Sequence, residues 1–185
     1  EIDQNTLVIF TSDNGPEMNY ECTQFFDSNG EFRGGKRDLY EGGIREPFIA
    51  WWPKKIQSGT VSNHVSAFWD FLPTACDVAG IDIPKETNGI SYLPTLLGKS
   101  NQIQHKYLYW EFYERDGARA VLSGKWKAVQ NNVKSNSKSR IELYNLEADP
   151  GENNDLAAQN PEIIQRINEI MKNASTPSEH FSFKR

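Results

Sequence analysis

From Tyr107 to Ala174 the chain reads as strand-like runs followed by one amphipathic helix. This order limits the fold more than any other feature of its 185 residues. The runs 107–113 (YLYWEFY), 118–130 (ARAVLSGKWKAVQ) and 140–146 (RIELYNL) are rich in aromatic and β-branched residues, and the last alternates as a half-buried strand does. Asn160 is placed to N-cap a helix, Pro161 suits its first position and Glu162 its first turn. Ile163, Ile164, Ile167, Ile170, Met171 and Ala174 then fall on one apolar stripe. Three antiparallel strands and one helix make a small α+β unit.

Upstream the texture differs. Residues 6–10 (TLVIF) are apolar without alternation, which predicts a strand buried on both faces, as in a parallel sheet. Residues 46–53 (EPFIAWWP) predict a second buried strand, and residues 14–46 a long Gly-rich loop of the kind that carries function. Asp70 is placed to N-cap a helix to about Ala79, with Pro73 in its first turn and Gly80 as its stop. Residues 89–98 suggest a short helical turn. The expected division is 1–104 and 105–185. The fold class expected is α/β, with the small antiparallel-sheet-plus-helix unit at its end. A strand at 6–10 that is buried on both faces needs neighbours. Self-association or a companion chain is therefore expected to cover any open apolar face. The chain begins at Glu1 rather than Met, close to this strand, as a piece of a longer protein would.

The composition, 37% hydrophobic and 12% aromatic, is that of a folded chain, and the net charge of −5 argues against nucleic acid as a partner. No apolar run reaches membrane-spanning length. Cys76 lies in an apolar helix pattern, and Cys22 has no basic neighbour to lower its pKa. The histidines, His64, His105 and His180, form no metal-ligand spacing.

Two loop motifs can carry chemistry. In Phe10-Thr-Ser-Asp-Asn-Gly-Pro16, Asn-Gly is a turn signal, but Asp13 and Asn14 also offer hard oxygen ligands at the end of a strand. A zinc phosphohydrolase would use a histidine there. In Gly30-x4-Gly35-Lys36 the spacing approaches a phosphate-binding loop, but Arg37 replaces the Ser/Thr that would ligate Mg²⁺, so a nucleotide site is rejected. Gly34 and Gly35 remain suited to close approach of the backbone, and Lys36 to holding an anion. Arg45 is better explained by an ion pair with Glu41 or Glu46. Tyr107, Tyr109, Trp110, Phe112 and Tyr113 read as core aromatics before a sugar-stacking surface. Glu111, Glu114 and Arg115 are candidates to reach a substrate.

Taken in order, FTSDNGP, RGGKRDLYEGGIREPFIAWWP, DFLPTACDVAG, NGISYLPTLLG and LYNLEADPGENNDLA resemble the C-terminal part of the formylglycine-dependent sulfatases of the arylsulfatase type, from about Thr6 to Ala174. The resemblance implies an alkaline-phosphatase-like α/β fold. It also implies hydrolysis of aryl or carbohydrate sulfate esters with a formylglycine nucleophile. Asp13 and Asn14 would ligate Ca²⁺, or in some members Mg²⁺, and Lys36 would contact the sulfate. No catalytic role falls on Tyr40 or Glu41, and Asp70 is expected to cap a helix. The family's C/S-x-P-S-R nucleophile motif is absent: Cys22 precedes Thr-Gln-Phe and Cys76 precedes Asp-Val-Ala. The chain alone is therefore expected to be inactive. The resemblance also implies a sulfated small molecule or glycan as substrate and a periplasmic or secreted location. The alternatives are a phosphodiesterase or phosphonate hydrolase of the same superfamily, and a non-catalytic Ca²⁺- or glycan-binding module.

Overall fold

The computed structural model describes residues 2–136, 138–181 and 183. It falls into two compact units that interleave along the chain: 1–11 with 47–106, and 12–46 with 107–185. The Gly-rich loop thus groups with the C-terminal strands, whereas the sequence division had placed it before residue 104. No helix among the described residues is long and apolar enough to cross a membrane.

In the first unit, β1 (Val8–Thr11) pairs antiparallel with β2 (Phe48–Trp51), Val8 opposite Trp51 and Thr11 opposite Phe48. This corrects the expected buried parallel strand. Among the described residues the sheet has two strands, so the non-alternating apolar side chains have nothing to bury them on both faces. Phe10 is 62% exposed, Ile49 61% and Trp51 51%. After the short helices α1 (Glu21–Phe25) and α2 (Glu41–Ile44) of the other unit, helix α3 (Phe71–Ala79) ends where Gly80 adopts φ +68°, and a further turn, α4, spans Leu93–Leu96. Asp70 precedes α3, but its side chain does not cap that helix. The fully buried carboxylate instead accepts from the N–H groups of Ala67 and Ile90, both at 2.8 Å, and meets His105 Nε2 at 2.9 Å. Asp70 joins three chain segments, and its backbone carbonyl accepts from the buried Thr74 hydroxyl at 2.7 Å.

The second unit contains a four-stranded antiparallel meander: β3 (Leu108–Phe112), β4 (Ala118–Ser123), β5 (Trp126–Asn131) and β6 (Ile141–Asn145). The run 118–130, expected to be one strand, is a hairpin. Gly124 at φ +58° and Lys125 connect the paired residues Ser123 and Trp126, a two-residue turn with glycine first. Helix α5 (Pro161–Ala174) follows, with Pro161 in its first turn. Asn160 occupies the N-cap position, but its side chain makes no capping bond; its N–H donates instead to the Leu156 carbonyl at 2.9 Å.

One face of the meander (Val121, Ala128, Ile141, Leu143) packs on Ile167 and Met171 of α5, with Ile163, Ile164 and Ile170 at the margin. The other face (Ala118, Ala120, Val129) packs on Leu39, with Tyr40 and Ile44 alongside. The sheet is covered on one side by the helix and on the other by the Gly-rich loop. Because Ile167 is fully buried, Ile167→Val is expected to cost about 0.5–1.5 kcal/mol, read by urea unfolding.

Candidate functional site

Asp13, Asn14 and Lys36 lie on loops whose backbones touch. The Gly15 N–H donates to the Gly43 carbonyl at 3.0 Å, the Lys36 N–H to Pro16 at 2.8 Å and the Gly42 N–H to Arg33 at 2.8 Å. The approach is closer than side chains permit. A Cβ on Gly15 would stand 1.8 Å from the Gly42 oxygen, and one on Gly42 2.3 Å from the Gly34 oxygen. On Gly43 it would stand 2.1 Å from the Asp38 oxygen, and on Gly35 2.6 Å from the Pro16 oxygen. Gly34, at φ +75°, makes the turn itself. Four glycines thus let the turn bearing Asp13 and Asn14, the loop bearing Lys36 and the short helix α2 (Glu41–Ile44) close on one another.

Lys36 is half-buried, and among the described residues its ammonium makes no hydrogen bond or ion pair. Its neighbours are held. Arg37, at φ +76°, pairs with Glu17 at 2.9 Å and Glu114 at 3.2 Å, while Asp38 pairs with Arg115 at 3.1 Å and accepts from the Gly35 N–H at 3.1 Å. Glu114 and Arg115, sequence candidates to reach a substrate, anchor this loop instead. Glu111 accepts from the hydroxyls of Tyr109 and Tyr113. Tyr109, Trp110 and Phe112 pack against the core clusters, as expected for core aromatics.

Asp13 is exposed and Asn14 half-buried. The Asn14 side-chain N–H donates to the Gly15 carbonyl at 3.2 Å, which leaves the amide oxygen as the atom that could ligate a metal. Nearby Glu46 is pushed up to about 7, first by burial and then by the like charges of Asp13 and Glu41. The donor set of one carboxylate and one amide oxygen suits a hard divalent cation, and negative charge already accumulates there. No group of three or more His, Cys, Asp or Glu side chains that could hold a metal occurs among the described residues.

Behind the glycine contacts lies a buried ionic network that sequence reading missed. Lys127 Nζ, fully buried on β5, donates to Glu41 Oε1 at 2.7 Å and lies 3.8 Å from Glu152 Oε1. The other oxygen of Glu152 accepts from the Glu41 N–H at 2.7 Å. Arg33 donates to the Glu152 carbonyl at 3.1 Å and to the Tyr144 hydroxyl at 2.8 Å, and stacks over Tyr40 at 3.9 Å. Tyr40 and Tyr144 both donate to Glu142 at 2.6 Å. Arg45 reaches Glu41 at 3.5 Å, the ion pair expected for it. One sequence signal was available: Lys127 shares its strand face with Val129, an inward position where a charge must be paired.

Glu152 is fully buried, and burial pushes its carboxyl up to about 7, against the pull of Lys127 and the Glu41 N–H. The folded protein therefore holds this proton more tightly than the unfolded chain does. That stabilisation is complete below the ordinary carboxylate range and lost as pH rises through about 7. Urea unfolding against pH is expected to show this fall, no steeper than about 1.4 kcal/mol per pH unit, and Glu152→Gln is expected to flatten it.

Comparison with known proteins places the chain in a family. Residues 30–177 match the family model described as N-sulphoglucosamine sulphohydrolase, C-terminal. The chain belongs to the sulfatases. It is 34% identical over 191 residues to human arylsulfatase A, covering 90% of this chain and 37% of that protein. It is 39% identical over 129 residues to N-acetylgalactosamine-6-sulfatase of Canis lupus familiaris, covering 69% of this chain and 24% of that one. A solved Bacteroides thetaiotaomicron structure, described under metabolism of multiple glycosaminoglycans, superposes with a TM-score of 0.76 at 28% identity, over 94% of this chain and 39% of that one. The fold is thus the α/β architecture of the sulfatases, and the chain spans little more than a third of the length of arylsulfatase A.

Proposed function

We propose that this chain supplies the sulfate-gripping lysine and part of the cation site of a sulfuric ester hydrolase whose remaining catalytic groups lie in a longer protein. The observation that carries this reading is the Lys36 ammonium. It is unpaired among the described residues, on a loop hydrogen-bonded through Pro16 to the turn that bears Asp13 and Asn14. Asp13 and Asn14 would hold Ca²⁺, or Mg²⁺, which when bound supplies positive charge beside the sulfate oxygens. Lys36 binds a sulfate oxygen and offsets the charge that grows as the ester S–O bond breaks, from a position fixed in advance. The nucleophile, a formylglycine by family resemblance, is not among these residues, so the isolated chain is inactive. The rest of the sulfatase domain is expected to cover the exposed Phe10, Ile49 and Trp51 of the β1–β2 sheet, and the exposed Phe68 and Phe71. The substrate is a sulfate ester of an aryl group or a sugar; the names of the N-acetylgalactosamine-6-sulfatase relatives favour the sugar.

The cation assignment is tested on the full-length protein by thermal unfolding with Ca²⁺ and with chelator. Ca²⁺ is expected to raise the melting temperature, and Asp13→Ala to remove most of that rise. An undiminished rise in the variant would show that the cation binds elsewhere.

A further inference from the structure

We infer that Lys127, on the middle of the C-terminal sheet, is a positioning residue for sulfate binding, acting on Lys36 through Glu41, Glu152 and the stacked glycines. The inference rests on the sulfatase reading above and extends it to residues that cannot touch substrate.

The connection is continuous. Lys127 Nζ holds the Glu41 carboxylate at 2.7 Å, and the Glu41 N–H holds Glu152 at 2.7 Å. Glu41 begins the helical turn whose next two residues are the contact points of both loops. Gly42 donates to Arg33 at 2.8 Å, three residues before Lys36, and Gly43 accepts from Gly15 at 3.0 Å, next to Asn14. The backbones on either side meet without side chains between them, so a shift of Glu41 has no soft layer to absorb it. Glu152 adds a second constraint on the same loop: its carbonyl accepts from Arg33, and a Cβ on the preceding Gly151 would stand 2.9 Å from the Glu31 oxygen.

Glu152 also carries a cost that points to a role. It is fully buried at φ +53°, a left-handed conformation that glycine adopts without strain, and its Oε1 has no hydrogen-bond partner. A glycine would relieve the backbone and an apolar residue the buried charge. The glutamate is what lets Lys127 grip the loop from two sides. A buried triad of this kind contributes little net stability but fixes one geometry among alternatives.

The test is a double-mutant cycle in the full-length enzyme, with kcat/KM for an aryl sulfate and calorimetric titration of inorganic sulfate as readouts. Lys127→Met is expected to lower kcat/KM about 30-fold and to weaken sulfate binding in step, because a small misplacement of the ammonium is costly. In a Lys36→Ala background the same substitution is expected to change either quantity less than about threefold, since the group it positions is gone. Equal losses in both backgrounds would mean general damage and overturn the inference, as would no loss in either. If Lys127→Met does not fold, Glu152→Gln takes its place under the same criteria; failure of both to fold would assign the network to stability alone and overturn the inference. A Lys36→Ala variant with normal activity is a separate outcome: it overturns the sulfate role of Lys36 itself.

Discussion

Replacing Lys36 by alanine in the full-length protein is expected to lower kcat/KM for a sulfate ester about 100- to 1,000-fold, equivalent to about 2.7–4 kcal/mol of transition-state stabilisation. The magnitude follows from what the ammonium has to do. It is half-buried and unpaired among the described residues, so no nearby carboxylate competes for it. The flanking Arg37 and Asp38 are tied to Glu17, Glu114 and Arg115, so little reorganisation is needed when charge develops on the sulfate. The loss falls mainly on kcat if the contact tightens as the S–O bond breaks, and on KM if it is made equally in the ground state. Lys36→Arg is expected to restore only part of the activity, because a planar guanidinium replaces a compact point charge in a loop fixed on both sides. Steady-state kinetics of the three proteins reads all of this.

Gly15→Ala is the second large effect, and it acts through the backbone. The new Cβ would stand 1.8 Å from the Gly42 carbonyl oxygen, with the Gly42 carbonyl carbon at 2.8 Å and the Gly43 Cα at 3.0 Å. No flexible side chain is available to move away. The turn must separate from α2 and break the 3.0 Å hydrogen bond from Gly15 to Gly43. The expected cost is about 3 kcal/mol of stability, at the upper end for an overpacked site. Sulfate affinity should fall with it, because the loops bearing Asn14 and Lys36 lose their common support. Gly59→Ala is the contrast: a Cβ there meets nothing within 4 Å, so only the strain of φ +75° remains, about 1 kcal/mol. Chemical denaturation of the two variants separates backbone collision from backbone strain.

The loops of the proposed site were legible where residue type alone carries the information. Asp-Asn-Gly after an apolar run, and Gly-Gly-Lys in a long loop, offer oxygen donors, close approach and a cation, and the structure joins the two loops through Gly15, Pro16 and Gly43. The α5 stripe was legible because six apolar residues repeat at helical spacing, and five of them pack against the sheet cluster. Other features depend on partners that sequence does not display. The pairing of β1 with β2 follows from tertiary neighbours, and an apolar run without alternation fits either pairing direction. The β4–β5 turn was hidden because Gly124 sits inside an otherwise continuous strand-like run. Asp70 stands just before α3, where a cap is expected, whereas its carboxylate binds Ala67, Ile90 and His105, the last 35 residues away. Lys127 and Glu152 read as ordinary charged residues; only the fold shows that both are fully buried and meet at Glu41.

The sulfatase assignment of the complete site is tested most directly by offering the full-length protein an aryl sulfate and the matching aryl phosphate diester and measuring kcat/KM for each. Release of inorganic sulfate with a clear preference for the sulfate ester is expected, and a loss of that preference in Lys36→Ala. Preferred cleavage of the phosphate diester, or no sulfate release by a folded, metal-loaded protein, would contradict that assignment.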